Sequence, residues 1–146
     1  MILQLLLNLV FTAMLCGLIW LVQLVHYPGF LLVGAEKSIE YQRHHTTSIS
    51  WIVIPLMLAE LCLAIWLLLT PFTNDVFSYL NYCAFACLVI IWLATFGVAV
   101  PIHNKLTIEG YKPENIRKLI RVNWIRTIFW NLRLLLLFYL SINFFN

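Results

Sequence analysis

The chain has 146 residues, of which 63% are hydrophobic and only 10% are charged, and its formal net charge is +3. Its mean hydropathy of +0.93 is far too high for a water-soluble domain of this length. The composition therefore indicates an integral membrane protein. The small basic excess is explained by contact with anionic lipid and gives no argument for a nucleic-acid partner.

Four apolar runs account for most of the chain, and each is close to the ~20 residues that a helix needs to cross a bilayer. They cover roughly residues 2–25, 49–70, 77–100 and 122–142. We therefore predict an all-α fold, with a single transmembrane domain over residues 1–146 that forms a four-helix bundle. The first run lacks a basic segment before it and is too long for a secretory signal, so we treat it as a helix of the mature protein.

Positive charge outside the apolar runs is confined to residues 27–48 and 101–121, whereas the opposite side carries only Asp75. By the positive-inside rule, these two segments are cytoplasmic and both chain termini lie on the extracytoplasmic side. Long helix extensions are expected on the cytoplasmic side. The sequence thus predicts a protein that spans a lipid bilayer, such as a bacterial inner membrane.

Taken in chain order, the first run ends at His26-Tyr27-Pro28-Gly29, where proline and glycine favour a turn. Residues 35–47 are polar but contain no proline, so they are predicted to form a helix that continues into the second run. Tyr41 and His45 are four residues apart on this extension and share a face. The third run closes at residues 100–105, which contain His103, and the fourth helix starts near Pro113.

All four histidines lie at the cytoplasmic level of this topology. His26, His45 and His103 come from three different helices, and three imidazoles with one open position are typical of catalytic metal sites. We predict that they hold a redox metal, copper or iron, with zinc or a haem as alternatives. His44 is the alternative ligand to His45. The competing interpretation is that these histidines are only polar anchors at the membrane interface.

Two arginines interrupt the fourth apolar run, and an arginine inside hydrocarbon requires a partner. Arg133 and Glu60 are predicted to reach a similar depth and to form an ion pair with a mainly structural role. Arg126 lies nearer to the histidines. A guanidinium offers a planar set of donors, so we predict that Arg126, together with Asn123, orients oxygen or substrate.

Two tyrosines complete the predicted catalytic set. Tyr27 follows His26 at the end of the first run, and Tyr41 lies on the same helical face as His45. Either phenol would donate a proton or an electron to the substrate.

Three short motifs stand out along the chain. They are Val25-His26-Tyr27-Pro28 with the following Tyr41 and His45, Val100-Pro101-Ile102-His103-Asn104-Lys105-Leu106, and Trp130-Asn131-Leu132-Arg133. This pattern resembles that of the small four-helix membrane proteins grouped with anthrone oxygenases, which have a His-Tyr-Pro near the end of helix one, a Val-Pro-Ile-Asn-like segment after helix three and a Trp-x-x-Arg in helix four. His103 stands where the family more often has asparagine, and Asn123-Trp124-Ile125-Arg126-Thr127 matches no family motif. The resemblance implies the oxidation of a hydrophobic, for example aromatic, compound within the membrane.

The leading hypothesis is a membrane-embedded, metal-dependent oxidoreductase or oxygenase that acts on a hydrophobic small molecule. Whether the chain is an enzyme is left open, with catalysis favoured. The alternative is a small membrane binder or transporter, in which Glu60, Arg126 and Arg133 line a cavity for an anion or a proton-coupled solute. A third interpretation is an assembly subunit, and a homo-oligomer is also left open.

Overall fold

A computed structural model, which describes residues 1–70, 72 and 74–144, shows four long helices. We number them α1 (Ile2–Gly29), α2 (Ser38–Leu69), α3 (Asp75–Glu109) and α4 (Pro113–Phe144). All four are long and apolar enough to cross a membrane, and no strand occurs among the described residues. The predicted all-α, four-helix fold is therefore confirmed. Residues 71, 73, 145 and 146, which the predicted domain also includes, lie outside this description.

The connections between the helices follow from local chemistry. Gly34 and Gly110 both have a φ of 77°, in the region that favours glycine, and they lie in the α1–α2 and α3–α4 connections. At Gly110 a Cβ would also come within 3.3 Å of Ile39, so the turn is tightly packed. At the start of α3, the side chain of Asn74 accepts a hydrogen bond from the backbone N–H of Val76 and caps the helix.

Helix α4 packs mainly against α1 and α3, and α2 packs against α1 and the last part of α3. One apolar core cluster includes Leu15, Met57, Ile91 and Trp130, and a smaller one includes Leu5, Leu67 and Leu137. The outward faces instead expose large apolar side chains, among them Trp51, Leu69 and Leu93. This outward exposure suits contact with lipid chains.

Two of the helices contain a wide, π-helical turn of five residues, Val22–His26 in α1 and Thr95–Ala99 in α3. Each wide turn ends two residues before a proline, Pro28 or Pro101. A proline has no N–H and collides with the preceding turn, so a regular α-helix cannot run through it unchanged. The wide turn shifts the hydrogen-bond register and allows the helix to continue.

As a result, α3 runs on to Glu109, beyond the end at residues 100–105 that the sequence predicts. The polar extension before the second apolar run is helical from Ser38 onward, as expected. The bundle therefore has one end that carries all the histidines, which we call the histidine end.

Candidate functional site

Deep in the bundle, Glu60 and Arg133 form an ion pair, with Arg133 Nε donating to Glu60 Oε1 at 3.0 Å. Neither side chain has more than 1% of its surface exposed. The Thr12 hydroxyl donates to the same carboxylate oxygen at 2.6 Å, and Trp130 Nε1 donates to Oε2 at 3.2 Å. Both oxygens of the buried carboxylate are therefore hydrogen-bonded.

The guanidinium of Arg133 is equally well satisfied. Its Nη1 donates to the backbone carbonyl of Ala84 at 2.6 Å, and its Nη2 donates to Asn8 Oδ1 at 2.7 Å. A buried pair with every charged atom hydrogen-bonded fixes the packing of helices around it. Glu60 and Arg133 consequently offer no free group to a solute, and the transporter hypothesis gains no support from them.

The structure brings together the three histidines that the sequence singled out. The ring centroids of His26 and His45 are 5.4 Å apart, and those of His45 and His103 are 5.9 Å apart. His45 is buried, whereas His44 is exposed on the outer face of α2. His45 therefore belongs to the cluster and His44 does not.

His103 is held from both sides by hydrogen bonds. Its Nε2 lies 2.9 Å from the hydroxyl oxygen of Tyr27, and the Gln42 side-chain amide bonds to its Nδ1. With the Gln42 nitrogen facing Nδ1, that ring nitrogen accepts, so the proton of a neutral imidazole is on Nε2 and is donated to Tyr27. The Tyr27 hydroxyl then keeps its own proton for another acceptor.

These contacts bear directly on the predicted metal site. Coordination by His103 would require the loss of its bond to Tyr27 or Gln42. Over residues 1–70, 72 and 74–144, no group of three or more His, Cys, Asp or Glu side chains is placed to hold a metal ion. These contacts give no support to copper, iron, zinc or haem, and the metal site stays a prediction. The hydrogen-bond donors of the cluster are what the described geometry shows.

Arg126 is positioned by a row of amides behind it. Its Nη1 donates to Asn123 Oδ1 at 3.1 Å, and Asn123 Nδ2 donates to Gln23 Oε1 at 2.8 Å. Gln23 in turn donates to the backbone carbonyl of Ile120. Asn123, predicted to orient the substrate directly, therefore acts on Arg126 as a positioning residue.

The charge of Arg126 has no carboxylate partner in the described part of the chain, where the ion pairs are Glu60–Arg133 and the exposed Lys112–Glu109. Only 6% of Arg126 is exposed, and its buried Nε has no hydrogen-bond partner. Its guanidinium lies 5.3 Å from the ring centroid of Trp130 and also interacts with the Tyr27 hydroxyl. A buried, uncompensated cation is costly and marks a place where an acidic group would bind.

A cleft of about 200 Å³ lies in front of Arg126 at the histidine end. Its polar end is formed by Tyr27, His45, His103 and Arg126. The walls are mostly apolar, with side chains that include Ile19, Val22, Ile49, Val53, Met57 and Phe96, and Thr46, Ser50, Thr95 and Asn104 also line the cleft. At its mouth, Ile54 of α2 and Phe96 and Val100 of α3 are exposed on the outer face of the bundle. The cleft therefore opens sideways, between α2 and α3, toward the lipid.

Both wide helical turns contribute to this cleft, α1 through Val22 and α3 through Thr95, Phe96 and Ala99. Wide turns of this kind are frequent at functional sites. The remaining predicted residue, Tyr41, is not brought to the cleft. It is partly exposed and packs edge-on against Phe30, with a centroid distance of 5.8 Å.

The sequence analysis missed Gln42 and Gln23, which hold His103 and Asn123. A signal for Gln42 was available, because it lies three residues before His45 and so shares its helical face. Gln23 gave a similar signal, as a polar residue in an apolar run three residues before His26.

Comparison with family models, with curated proteins and with solved structures gives no match to this chain. Nothing in these comparisons bears on the resemblance to the anthrone oxygenases. The evidence for function is therefore the geometry of the cleft.

Proposed function

We propose that the protein binds a hydrophobic small molecule with an acidic oxygen head, taken up from the bilayer, and holds that head as its anion. One observation carries the proposal: Arg126, a buried cation without a carboxylate partner in the described part of the chain, lies at the polar end of a mostly apolar cleft that opens to lipid. The head would be a carboxylic acid, a phenol or an enol, because these groups become anions that a guanidinium binds well.

Tyr27 and His103 assist Arg126 in holding the head. The Tyr27 hydroxyl accepts the hydrogen bond of His103 and lies beside Arg126, so it keeps its own proton to donate to an oxygen head in the cleft. The head would give up its proton to water at the histidine end, and the resulting anion would accept hydrogen bonds from Tyr27 and Arg126. Gln42 keeps the His103 ring in the orientation that leaves the Tyr27 proton free for the head.

Oxidation is the part of the proposal that comes from the resemblance to anthrone oxygenases. A phenol or enol that has lost its proton is more easily oxidised than the neutral form. In this scheme dioxygen is the oxidant, and the site supplies the deprotonated substrate. Oxygen consumption by the purified protein with an anthrone as substrate tests this part separately from binding.

The binding part is tested with 2-naphthol, whose anion absorbs at longer wavelength than the neutral phenol. The protein is reconstituted in lipid nanodiscs at a pH where free 2-naphthol is neutral. We expect a naphtholate band that is absent with empty nanodiscs. In Arg126→Gln, binding should weaken about 10- to 100-fold, because a hydrogen bond to a charged group contributes roughly 1.5–3 kcal/mol.

Arg121→Gln is the matched control, since Arg121 is an exposed arginine of the same helix and should leave the band unchanged. Tyr27→Phe should keep the naphtholate band but weaken binding, because it removes one hydrogen-bond donor to the anion. A native protein that gives no naphtholate band, or an Arg126→Gln variant that gives the same band as Arg121→Gln, would contradict the proposal.

A further inference from the structure

An apolar groove of about 360 Å³ lies on the outer face of the bundle, beside the cleft. Leu61 of α2 forms one side of it. The other side belongs to α3 and consists of Leu88, Val89, Trp92, Leu93, Phe96 and Gly97. This groove contains none of the polar side chains of the cleft and contributes no group to the binding of the acidic head proposed above.

The groove and the cleft are neighbours that share one wall residue, Phe96. The ring of Phe96 packs against that of Trp92, with centroids 5.1 Å apart and planes inclined at 33°. An apolar chain that leaves the cleft past Phe96 would reach the groove. Gly97 lies next to Phe96 on the groove, and a Cβ at that position would meet no atom within 4 Å, so a larger side chain there would occupy the groove.

The groove also runs in the direction that a lipid chain takes. It extends along α3 from Phe96 toward Leu88, away from the histidine end and toward the middle of the bundle. At 1.5 Å per residue, Leu88 lies about 22 Å from His103 along the helix axis. A bilayer core is ~30 Å thick, so this distance is enough to take a chain from the interface to the bilayer centre.

We propose that the ligand is a long-chain amphiphile of the fatty-acid type, with its acidic head at Arg126 and its linear alkyl chain in the groove past Phe96. This inference rests on the proposed function, since the head is held by the polar end of the cleft. The inference specifies the shape of the ligand as linear. A compact aromatic molecule would occupy only the cleft, and bulk lipid would then fill the groove.

Selection of this ligand depends on the head. Lipid chains are as apolar as the groove, so moving an alkyl chain from the bilayer into the groove gains little from the hydrophobic effect. The groove contributes close packing and a fixed direction, and Arg126 distinguishes the ligand from the surrounding phospholipid. Loss of either the groove or the Arg126 guanidinium should therefore abolish specific binding of the fatty acid in the groove.

The test uses a photoreactive fatty acid with a diazirine in the middle of its chain, bound to the protein in phosphatidylcholine nanodiscs. Peptide mass spectrometry locates the labelled residues. We expect labelling concentrated in residues 88–97 of α3. A phosphatidylcholine that carries the same photoreactive chain shows the labelling by bulk lipid.

Two variants sharpen the test. In Gly97→Leu, the new side chain fills the groove. This variant should reduce labelling of residues 88–97 to the level given by the photoreactive phosphatidylcholine. Gly17→Leu is its matched control, because Gly17 is an exposed glycine of α1 whose added Cβ also meets no atom within 4 Å. In Gly17→Leu, the photoreactive fatty acid should label residues 88–97 as strongly as in the native protein. In Arg126→Gln, labelling of these residues should fall to the level of Gly97→Leu.

Fatty-acid labelling that is spread over the outer faces of all four helices, or that persists in Gly97→Leu, would overturn the inference. The 2-naphthol spectrum separates this failure from that of the proposed function, since the small phenol needs only the cleft. Gly97→Leu should retain the naphtholate band. A native protein with the band but without localised labelling lacks only the tail site, whereas one without the band lacks the proposed acidic site as well.

Discussion

At the scale of single residues, the two arginines of α4 show how partners decide the role of a buried charge. Arg133 has Glu60, Asn8 and the Ala84 carbonyl around it, and all its nitrogens are used. Arg126 has one amide partner, the Tyr27 hydroxyl and an aromatic face, and its Nε has no hydrogen-bond partner among the described residues. The first arrangement crosslinks the helices, and the second is where we propose that an acidic ligand binds.

Removal of one partner of the deep pair should be strongly destabilising. Glu60→Leu leaves the buried Arg133 without its counter-charge, so we expect a loss of about 3–5 kcal/mol in the free energy of unfolding. The double variant with Arg133→Leu should lose less than the sum of the two single variants, because it removes both charges. Denaturation of the purified protein in detergent measures all three, and additive losses would contradict the assignment.

Asn123→Asp tests the role of Arg126 without removing it. The new carboxylate would lie where Asn123 Oδ1 now accepts from Arg126 Nη1 at 3.1 Å, and it would compensate the guanidinium charge. We expect the variant to fold but to bind 2-naphtholate more weakly, by about tenfold or more, since one charged hydrogen bond is diverted. Asn131→Asp, on the same helix, is the control, and equal affinity of the two variants would argue against Arg126 as the anion site.

At the scale of whole elements, the wide turns of α1 and α3 connect proline positions to the shape of the cleft. Pro101 lacks the N–H that a regular α-helix would bond to the carbonyl of Gly97, and the wide turn Thr95–Ala99 before it places Phe96 and Ala99 on the cleft wall. The same relation holds for Pro28 and Val22–His26. Both α1 and α3 thus have a wide turn shortly before a proline, at the histidine end of the bundle.

Pro101→Ala should therefore affect the site more than the fold. The restored N–H allows regular α-helical bonding, which removes the need for the wide turn and rotates Phe96 relative to His103. We expect unchanged or higher thermal stability together with weaker 2-naphthol binding. Pro55→Ala is the control, because Pro55 lies inside α2 with no wide turn in that helix. Equal binding by both variants would contradict a link between the wide turn and the cleft.

At the scale of the whole molecule, the histidine end carries the cleft and the basic connections, and we propose that this end faces the cytoplasm. The prediction is tested with single cysteines at Lys112 and Asp75 in a variant whose four native cysteines are replaced by alanine. In intact bacterial cells, a membrane-impermeant maleimide should label Asp75→Cys and spare Lys112→Cys until the cells are opened. The reverse pattern would place the cleft mouth near the extracytoplasmic surface.

The sequence by itself determined the membrane class, the number of helices and the level at which the histidines gather. It could do so because apolar run length and helix period depend on local residues alone. It also matched Glu60 with Arg133, since two buried charges at one depth have few other ways to be neutralised. It did not determine that His103 bonds to Gln42 and Tyr27, or that Asn123 stands behind Arg126.

Those features were decided by the tertiary structure, because they depend on how each helix is rotated and on atoms that are far apart in the chain. The wide turns before Pro28 and Pro101 change that rotation partway along two helices, which a constant 3.6-residue period does not anticipate. Of the three histidines that suggested a metal site, His45 and His103 line the cleft, and the ring of His103 is hydrogen-bonded on both sides. The charge of Arg126, which has no carboxylate partner among the described residues, is what points to an acidic ligand.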